Sequence, residues 1–147
     1  MRPTAFLVLY SGLLCACSSP MGPIPGGKLE GAVETWPEDW SFTESIENVL
    51  LETNPHDPYS VTVWGVTYDQ KFFVAAVDSD STWVQNIQQD PNVVLSVSGR
   101  LFTARAVMVS NTETMAALGQ AYMAKYDVEP DENFARDGGV VFSLEER

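Results

Sequence analysis

The segment from Ser60 to Tyr68 constrains the fold most, because its β-branched and aromatic residues alternate along the chain. This pattern is typical of a β-strand with two different faces. Asp69–Gln70 is a tight link into a second such run, Lys71–Val77, so the two runs are predicted to form a hairpin. Val93–Val97 and Arg100–Val109 repeat the arrangement around a Ser-Gly turn. The sequence therefore predicts a sheet built from antiparallel hairpins.

Two further strands and two helices are predicted around these hairpins. Ser45–Thr53 precedes them as a strand, and Val140–Leu144 is the last strand. Helices are predicted over Thr82–Gln89 and from Ser110 to about Tyr126. Neither helix joins two strands in a regular βαβ alternation, which argues against a parallel, dinucleotide-binding sheet. Because closure removes exposed edges, the expected fold is mainly β (α+β): a small six-stranded antiparallel barrel with two peripheral helices.

Helical spacing of apolar residues assigns a buried face to each helix. These faces are Trp83, Val84 and Ile87 in the first helix, and Met115, Leu118, Tyr122 and Tyr126 in the second. Ser110, followed three residues later by Glu113, is a capping-box pattern that predicts where the second helix begins. Trp36 and Trp40 lie before the first of the six strands, and we expect their indoles to cover the barrel or a partner.

Composition and charge exclude several classes of function. A length of 147 residues allows one domain. The net charge of −12 repels phosphodiester backbones, so no nucleic-acid partner is expected. Both cysteines precede residue 18, which excludes a disulfide framework or a cysteine metal cage in the body of the protein. His56 is the single histidine, so no metal site is expected either.

The N-terminus has the features of a secretory signal. Arg2 supplies a positive charge, and Ala5–Leu14 is an apolar run too short to span a membrane. The following Leu14-Cys15-Ala16-Cys17 resembles the lipobox of bacterial lipoproteins. That resemblance implies a signal peptide over residues 1–16, diacylglycerol on Cys17, and a membrane-anchored protein in the bacterial cell envelope, facing the periplasm or the exterior. Residues 17–27 are rich in Ser, Pro and Gly and are predicted to be a flexible tether, with the domain over residues 28–147. An ordinary cleaved signal, or an accidental apolar start, remains the alternative.

The middle of the chain carries an ordered set of sequence features. A hairpin, WGVTYDQKFFVAAV, is followed by Ser-Thr-Trp on a short helix, then Asn86, the step QQDPNV and the strand pair VVLSVSGRLFTARA. This order resembles the FMN-binding split-barrel proteins, meaning the pyridoxamine-phosphate-oxidase-like and deazaflavin-dependent nitroreductase-like families. The direct match covers about fifty residues, and the order of elements extends it to Ser45–Leu144. The resemblance implies that the predicted barrel is a split barrel.

The same resemblance implies a cofactor site. It predicts a homodimer with FMN, or a deazaflavin, lying between the subunits, and a small-molecule substrate that the sequence does not name. A chain that binds FMN in this way is expected to be an FMN-dependent oxidoreductase. The implied cofactor-binding residues are Ala75, Ala76 and Val77 beside the ring, and Ser79, Ser81, Thr82 and Trp83 at the phosphate. A helix start is a physically suitable place for phosphate, because its unpaired N–H groups attract anions.

The sequence departs from the family at the implied phosphate position. Many members have Arg or Lys where this chain has Thr82 and Trp83. Asp78 and Asp80 flank the position, and each carboxylate disfavours a dianionic phosphate. The cations expected nearby are Lys71, Arg100 and Arg105. These charges leave a second hypothesis open, a non-catalytic split-barrel lipoprotein that serves as a binding or structural module.

Three other features have two interpretations each. Trp64 and Trp83 either stack on a flavin ring or fill the core, and the core is favoured for both. Arg105 is interpreted as an ion-pair partner at the barrel rim rather than as an anion clamp. The acidic surface, finally, is either solvated or a docking face for a cationic partner.

Overall fold

The predicted hairpins and both predicted helices are present in the folded chain. A computed structural model describes residues 19–129, 131 and 133–147. The predicted signal peptide and Cys17 lie outside the described residues. The strands are β1 (Ala32–Val33), β2 (Val49–Thr53), β3 (Tyr59–Val63), β4 (Gly65–Tyr68), β5 (Lys71–Ala76), β6 (Asn92–Val97), β7 (Arg100–Met108) and β8 (Val140–Glu146). The helices are α1 (Thr82–Gln89) and α2 (Thr112–Tyr126), with a short 3-10 helix at Ser41–Thr43.

The sheet is closed by a single bent segment. Its strand order is β3-β2-β6-β7-β8-β5-β4, and every neighbouring pair in that order is antiparallel. The two edge strands, β3 and β4, are consecutive in the chain and are separated only by Trp64. One continuous stretch of chain therefore forms both edge strands. With β3 and β4 counted as one strand, six strands surround the interior, and the sheet is a split barrel.

The strand count differs from the predicted six. The described residues contain eight strands, because the predicted strand Ser60–Tyr68 is interrupted at Trp64 and a two-residue strand, β1, pairs in parallel with the start of β7. The alternation of Ser60–Tyr68 continues through Trp64, so the sequence pattern does not mark the bend. The class is confirmed as an α+β antiparallel split barrel with two peripheral helices.

Aromatic side chains close both ends of the barrel interior. Helix α1 links β5 to β6 at one end and buries Trp83, Val84 and Ile87, as its spacing predicts. Near the starts of β5 and β7, at the other end, Trp40 is 1% exposed and packs against Phe72 and Phe102. The prediction that an indole from the N-terminal segment covers the barrel is confirmed for Trp40.

Helix α2 packs on the outside of the barrel. Leu118 is its fully buried residue, and Met115, Tyr122 and Tyr126 are partly buried beside it, as predicted. They cover Val66, Phe73 and Val141, whose side chains point outward from β4, β5 and β8. The predicted N-cap residue of this helix, Ser110, is wrong. Asn111 is the N-cap residue, and its side-chain oxygen accepts a hydrogen bond from the Thr114 N–H at 2.8 Å. Asn and Ser are nearly equal as caps, so the sequence alone does not decide between them.

Candidate cofactor site at the start of helix α1

The end of β5 brings three of the predicted cofactor residues to one end of the barrel. Side chains alternate along the strand, so Ala76 is buried in the barrel interior while Ala75 faces outward and is half-buried. Val77 follows the last strand residue and is 81% exposed. An apolar side chain this exposed, four residues before the N-cap of α1, is available to contact a planar ligand.

The turn between β5 and α1 is held by its own hydrogen bonds. The Asp80 N–H donates to the Asp78 carboxylate at 2.8 Å, which forms an Asx turn. The Ser81 hydroxyl donates to the Asp78 carbonyl oxygen at 2.8 Å. Ser81 is the N-cap residue, yet its side chain makes no capping hydrogen bond to the helix. The first N–H groups of α1 are therefore left without the usual side-chain acceptor.

Unsatisfied donors converge at this helix start. The backbone N–H groups of Thr82 and Trp83 have no acceptor in the part of the chain that the structure describes. The Thr82 side chain is exposed and the Ser79 side chain is half-exposed, so both hydroxyls are accessible. Aligned N–H groups and hydroxyls of this kind bind anions, because the helix dipole adds positive potential at its N-terminus. Ser79, Ser81 and Thr82 thus lie together at the start of α1, and their role in binding a cofactor stays a prediction.

A segment distant in sequence completes the rim of this site. The Ser79 N–H donates to the Gly138 carbonyl oxygen at 2.9 Å, so the loop before β8 lies against the turn. That loop carries Arg136, which is exposed and pairs with Asp137 at 3.2 Å. Sequence reasoning missed Arg136, because no local spacing relates it to the turn. Arg136 lies two residues before Gly138 in this loop.

The two tryptophans considered for stacking on a flavin ring differ in burial. Trp83 is buried and packs against Phe142 with ring centroids 5.9 Å apart, which confirms the core-filling interpretation. Trp64 is 43% exposed, so that interpretation is wrong for Trp64. Its ring stacks instead on Tyr126 of α2, with centroids 4.4 Å apart and an angle of 9° between the planes. Trp64 lies at the bend between β3 and β4, where the chain leaves the barrel wall.

Polar side chains of α2 form hydrogen bonds with the backbone groups of the bend at Trp64 and Gly65. The Tyr126 hydroxyl accepts from the Gly65 N–H at 3.0 Å, and the Lys125 ammonium donates to the Gly65 carbonyl oxygen at 2.7 Å. Burial raises the pKa of the Tyr122 hydroxyl, which the nearby Tyr126 raises further. Burial likewise lowers the pKa of Lys125. These groups serve the backbone of the bend, so we assign the cluster a structural role.

The remaining sequence candidates lie apart from the turn. Arg100 forms an ion pair with Glu34 at 2.6 Å, near the opposite end of the barrel from α1. Arg105 is exposed on β7 opposite Glu145, and the rim ion pair predicted for it is not formed among the described residues. Lys71 is exposed at the start of β5, one strand length from Val77. None of the three cations predicted from the sequence therefore reaches the start of α1 within this chain.

A metal-binding cluster and a membrane-spanning helix are both absent from the described residues. No cluster of three or more His, Cys, Asp or Glu side chains there is arranged to hold a metal ion. In the same part of the chain, neither helix has the length and apolar character needed to cross a bilayer.

The topology and the position of α1 define the fold as a split β-barrel, and the comparisons with solved structures confirm this fold. A conserved hypothetical protein from Mycobacterium tuberculosis matches with a TM-score of 0.59 at 18% identity, covering 82% of this chain and 86% of that chain. A protein provisionally described as a pyridoxamine 5'-phosphate oxidase from Listeria innocua matches with a TM-score of 0.56 at 8% identity, covering 71% and 87%. An F420 reductase matches with a TM-score of 0.54 at 16% identity, covering 77% and 96%.

One more match concerns assembly. A structure described as a domain-swapped dimer has a TM-score of 0.54 at 17% identity, covering 68% of this chain and 81% of that chain. No protein-family model matches the sequence, and no curated protein matches it. At these identities the similarity shows a shared fold.

Proposed function

We propose that this chain is an envelope lipoprotein whose split-barrel domain binds a flavin-type cofactor, FMN or a deazaflavin, and acts as an oxidoreductase on a small molecule. The observation that carries the proposal is the uncapped start of α1, whose free N–H groups lie beside the exposed end of β5. The pyridoxamine 5'-phosphate oxidase and F420 reductase descriptions among the matching structures support the same type of cofactor.

The donors at the site fit the phosphate of such a cofactor. Two backbone N–H groups and the hydroxyls of Ser79 and Thr82 are the groups that would hold phosphate oxygens, while the Ser81 hydroxyl holds the turn through the Asp78 carbonyl oxygen. Val77 offers an apolar side chain to the ring. When bound, the flavin ring supplies two-electron redox chemistry, while the protein supplies position and electrostatics. Trp83 acts by anchoring the helix in the core, since its side chain is buried.

The charges around the site favour completion by a second copy of the chain. Asp78 and Asp80 in the turn and Asp137 in the adjoining loop bring three carboxylates together, and Arg136 of that loop pairs with Asp137. A dianionic phosphate there needs further positive charge. Arg105 is exposed on the outer face of β7 and forms no ion pair among the described residues. We propose a homodimer in which such a cation from the partner approaches the turn, and the domain-swapped dimer among the matches supports this assembly.

A charge-matched pair of variants tests the cofactor site. FMN, FAD and a deazaflavin are titrated in turn into the chain beginning at Ser19, and ring fluorescence and thermal stability are followed. Thr82→Asp adds a carboxylate at the helix start, and we expect it to weaken FMN binding by about tenfold, or about 1.4 kcal/mol. Gln88→Asp adds the same charge at the exposed far end of α1 and should leave the affinity within about twofold. If both variants change the FMN affinity equally, the phosphate does not bind at the start of α1.

A second candidate function follows from the same carboxylates. The excess of acidic over basic groups at the turn favours a non-catalytic split barrel that serves as a binding or structural module of the envelope. If no flavin binds at high micromolar concentration, the oxidoreductase proposal is wrong and this second function is supported. Isolation of partners from the cell envelope is then the appropriate experiment.

The membrane anchor has a separate test. The lipobox predicts that mature protein begins at Cys17 with its thiol linked to diacylglycerol, so the N-terminal peptide should carry that mass. An N-terminal peptide that begins at Cys17 without that mass would contradict the anchor.

A further inference from the structure

The chain joins the barrel very soon after the proposed lipid attachment site. Pro20 is buried, and Gly26 forms two backbone hydrogen bonds with Ser60 of β3, at 2.9 and 2.8 Å. Leu29 is also buried, and its N–H donates to the Glu52 carboxylate at 2.5 Å. Within the predicted tether, the burial of Pro20 and the hydrogen bonds of Gly26 therefore fix the two ends of an exposed stretch, residues 21–25.

The covalent reach from Cys17 to this contact is short. Three residue steps separate Cys17 from Pro20, and a fully extended chain covers at most about 11 Å over that interval. The polar head-group layer on each side of the hydrocarbon core is itself roughly 5–8 Å thick. A domain held this closely lies against the head groups rather than at the end of a long linker.

An exposed apolar turn lies between these two contacts. Met21 and Ile24 form a closed turn through two reciprocal backbone hydrogen bonds, each 3.0 Å long. Each of these side chains is 61% exposed. Apolar side chains on a turn next to an acyl anchor gain free energy by entering the boundary between head groups and acyl chains.

We propose that the β3 side of the barrel, with the turn Met21–Ile24, docks on the surface of the lipid bilayer. This inference rests on the proposed lipid anchor. Its occupant is a phospholipid surface, because the length of chain between Cys17 and Pro20 brings that surface within reach. The net charge of −12 disfavours attraction to anionic lipids, so the docking depends on the anchor and the apolar turn. Zwitterionic lipid should therefore suffice.

The experiment compares two labelled positions on acylated full-length protein. Ile24→Cys and, as its control, Glu113→Cys each receive an environment-sensitive fluorophore, and the protein is placed in phosphatidylcholine vesicles containing lipid with a doxyl quencher near the head group. Glu113 is exposed on α2 just after β7, and two strands separate β7 from the β3–β4 segment in either direction around the barrel. We expect the doxyl lipid to quench the label at position 24 at least about threefold more than the label at position 113.

Two outcomes separate this inference from the anchor on which it rests. Acylated protein whose two labels are quenched equally overturns the docking alone. An unmodified N-terminal peptide overturns the anchor and, with it, the docking. Insertion of about ten Gly and Ser residues between Ser19 and Pro20 lengthens the linker and should reduce the quenching at position 24. Unchanged thermal unfolding of each variant confirms that the fold is intact.

Discussion

The hydroxyl of Tyr126 accepts a hydrogen bond from the backbone N–H of Gly65 at 3.0 Å, across 61 residues of sequence. Gly65 is the first residue after the bend at Trp64, where the barrel wall passes from one sheet edge to the other. The same hydroxyl lies 2.8 Å from the Glu47 carbonyl oxygen. Helix α2 therefore satisfies backbone groups at the point where the strand ladder is interrupted, and the closure of the barrel depends on it.

Removal of this hydroxyl should destabilise the barrel. Tyr126→Phe keeps the ring stacked on Trp64 but leaves the Gly65 N–H without that acceptor, and we expect a loss of about 1–2 kcal/mol in the free energy of unfolding. Tyr68→Phe is the control, because Tyr68 is exposed and its hydroxyl makes no hydrogen bond among the described residues. Urea unfolding of both variants measures the difference. A Tyr126→Phe protein as stable as the control would show that the bond contributes nothing.

The absence of a side chain at residue 65 is a second requirement of the bend. A Cβ atom there would collide with the ring of Phe72, which is fully buried in the barrel interior. Gly65→Ala should therefore cost about 1–3 kcal/mol through overpacking. Gly119→Ala in α2 is the matched control, since the space around Gly119 is open and alanine favours a helix by roughly 0.5–1 kcal/mol. Opposite signs of the two changes in urea unfolding are the expected result, and equal signs would contradict the packing account.

Alkaline pH should unfold the domain through its buried tyrosine. Burial raises the pKa of Tyr122, so the folded state keeps a phenolic proton that the unfolded chain releases near pH 10. This stabilisation is complete below about pH 10 and is lost as pH rises further, with a slope of at most about 1.4 kcal/mol per pH unit. The raised pKa of Tyr126 acts in the same direction. The lowered pKa of Lys125 acts in the opposite direction, increasing stability as pH approaches its ordinary value of 10.5.

Tyr122→Phe isolates the tyrosine contribution to this pH dependence. Its unfolding free energy should fall less steeply than that of the unaltered protein between about pH 10 and pH 11. Tyr68→Phe should follow the unaltered protein, because Tyr68 is exposed. Parallel curves for all three proteins would show that the Tyr122 hydroxyl does not control alkaline unfolding.

Local patterns were sufficient to predict most elements of the barrel. The bounds of α1, Thr82–Gln89, agree with the prediction, because a β-strand, a polar turn and an Asp-Pro step delimit the helix unambiguously. Both hairpins and the buried face of α2 are also as expected. The bend at Trp64 was missed, since alternation and β-propensity continue through it and only closure of the sheet interrupts the strand.

The candidate site was predictable only where it is local in sequence. Ser79, Ser81 and Thr82 are close together because one turn carries them. The position of Arg136 depends on the contact between Ser79 and Gly138, which no sequence spacing reveals. Trp64 was assigned to the core because an indole on a strand is usually buried, whereas here the bend turns it towards α2.

The most direct test of the proposed function is an amide spectrum of the ¹⁵N-labelled domain, titrated with FMN. We expect the Thr82 and Trp83 amide signals to move saturably with a Kd below about 10 µM, or about −7 kcal/mol, because their N–H groups would contact the phosphate. Amide signals at the start of β8, near Gly138, should move with them. Unchanged Thr82 and Trp83 signals at about 1 mM FMN, a concentration that detects binding as weak as about −4 kcal/mol, would contradict a flavin site at the start of α1.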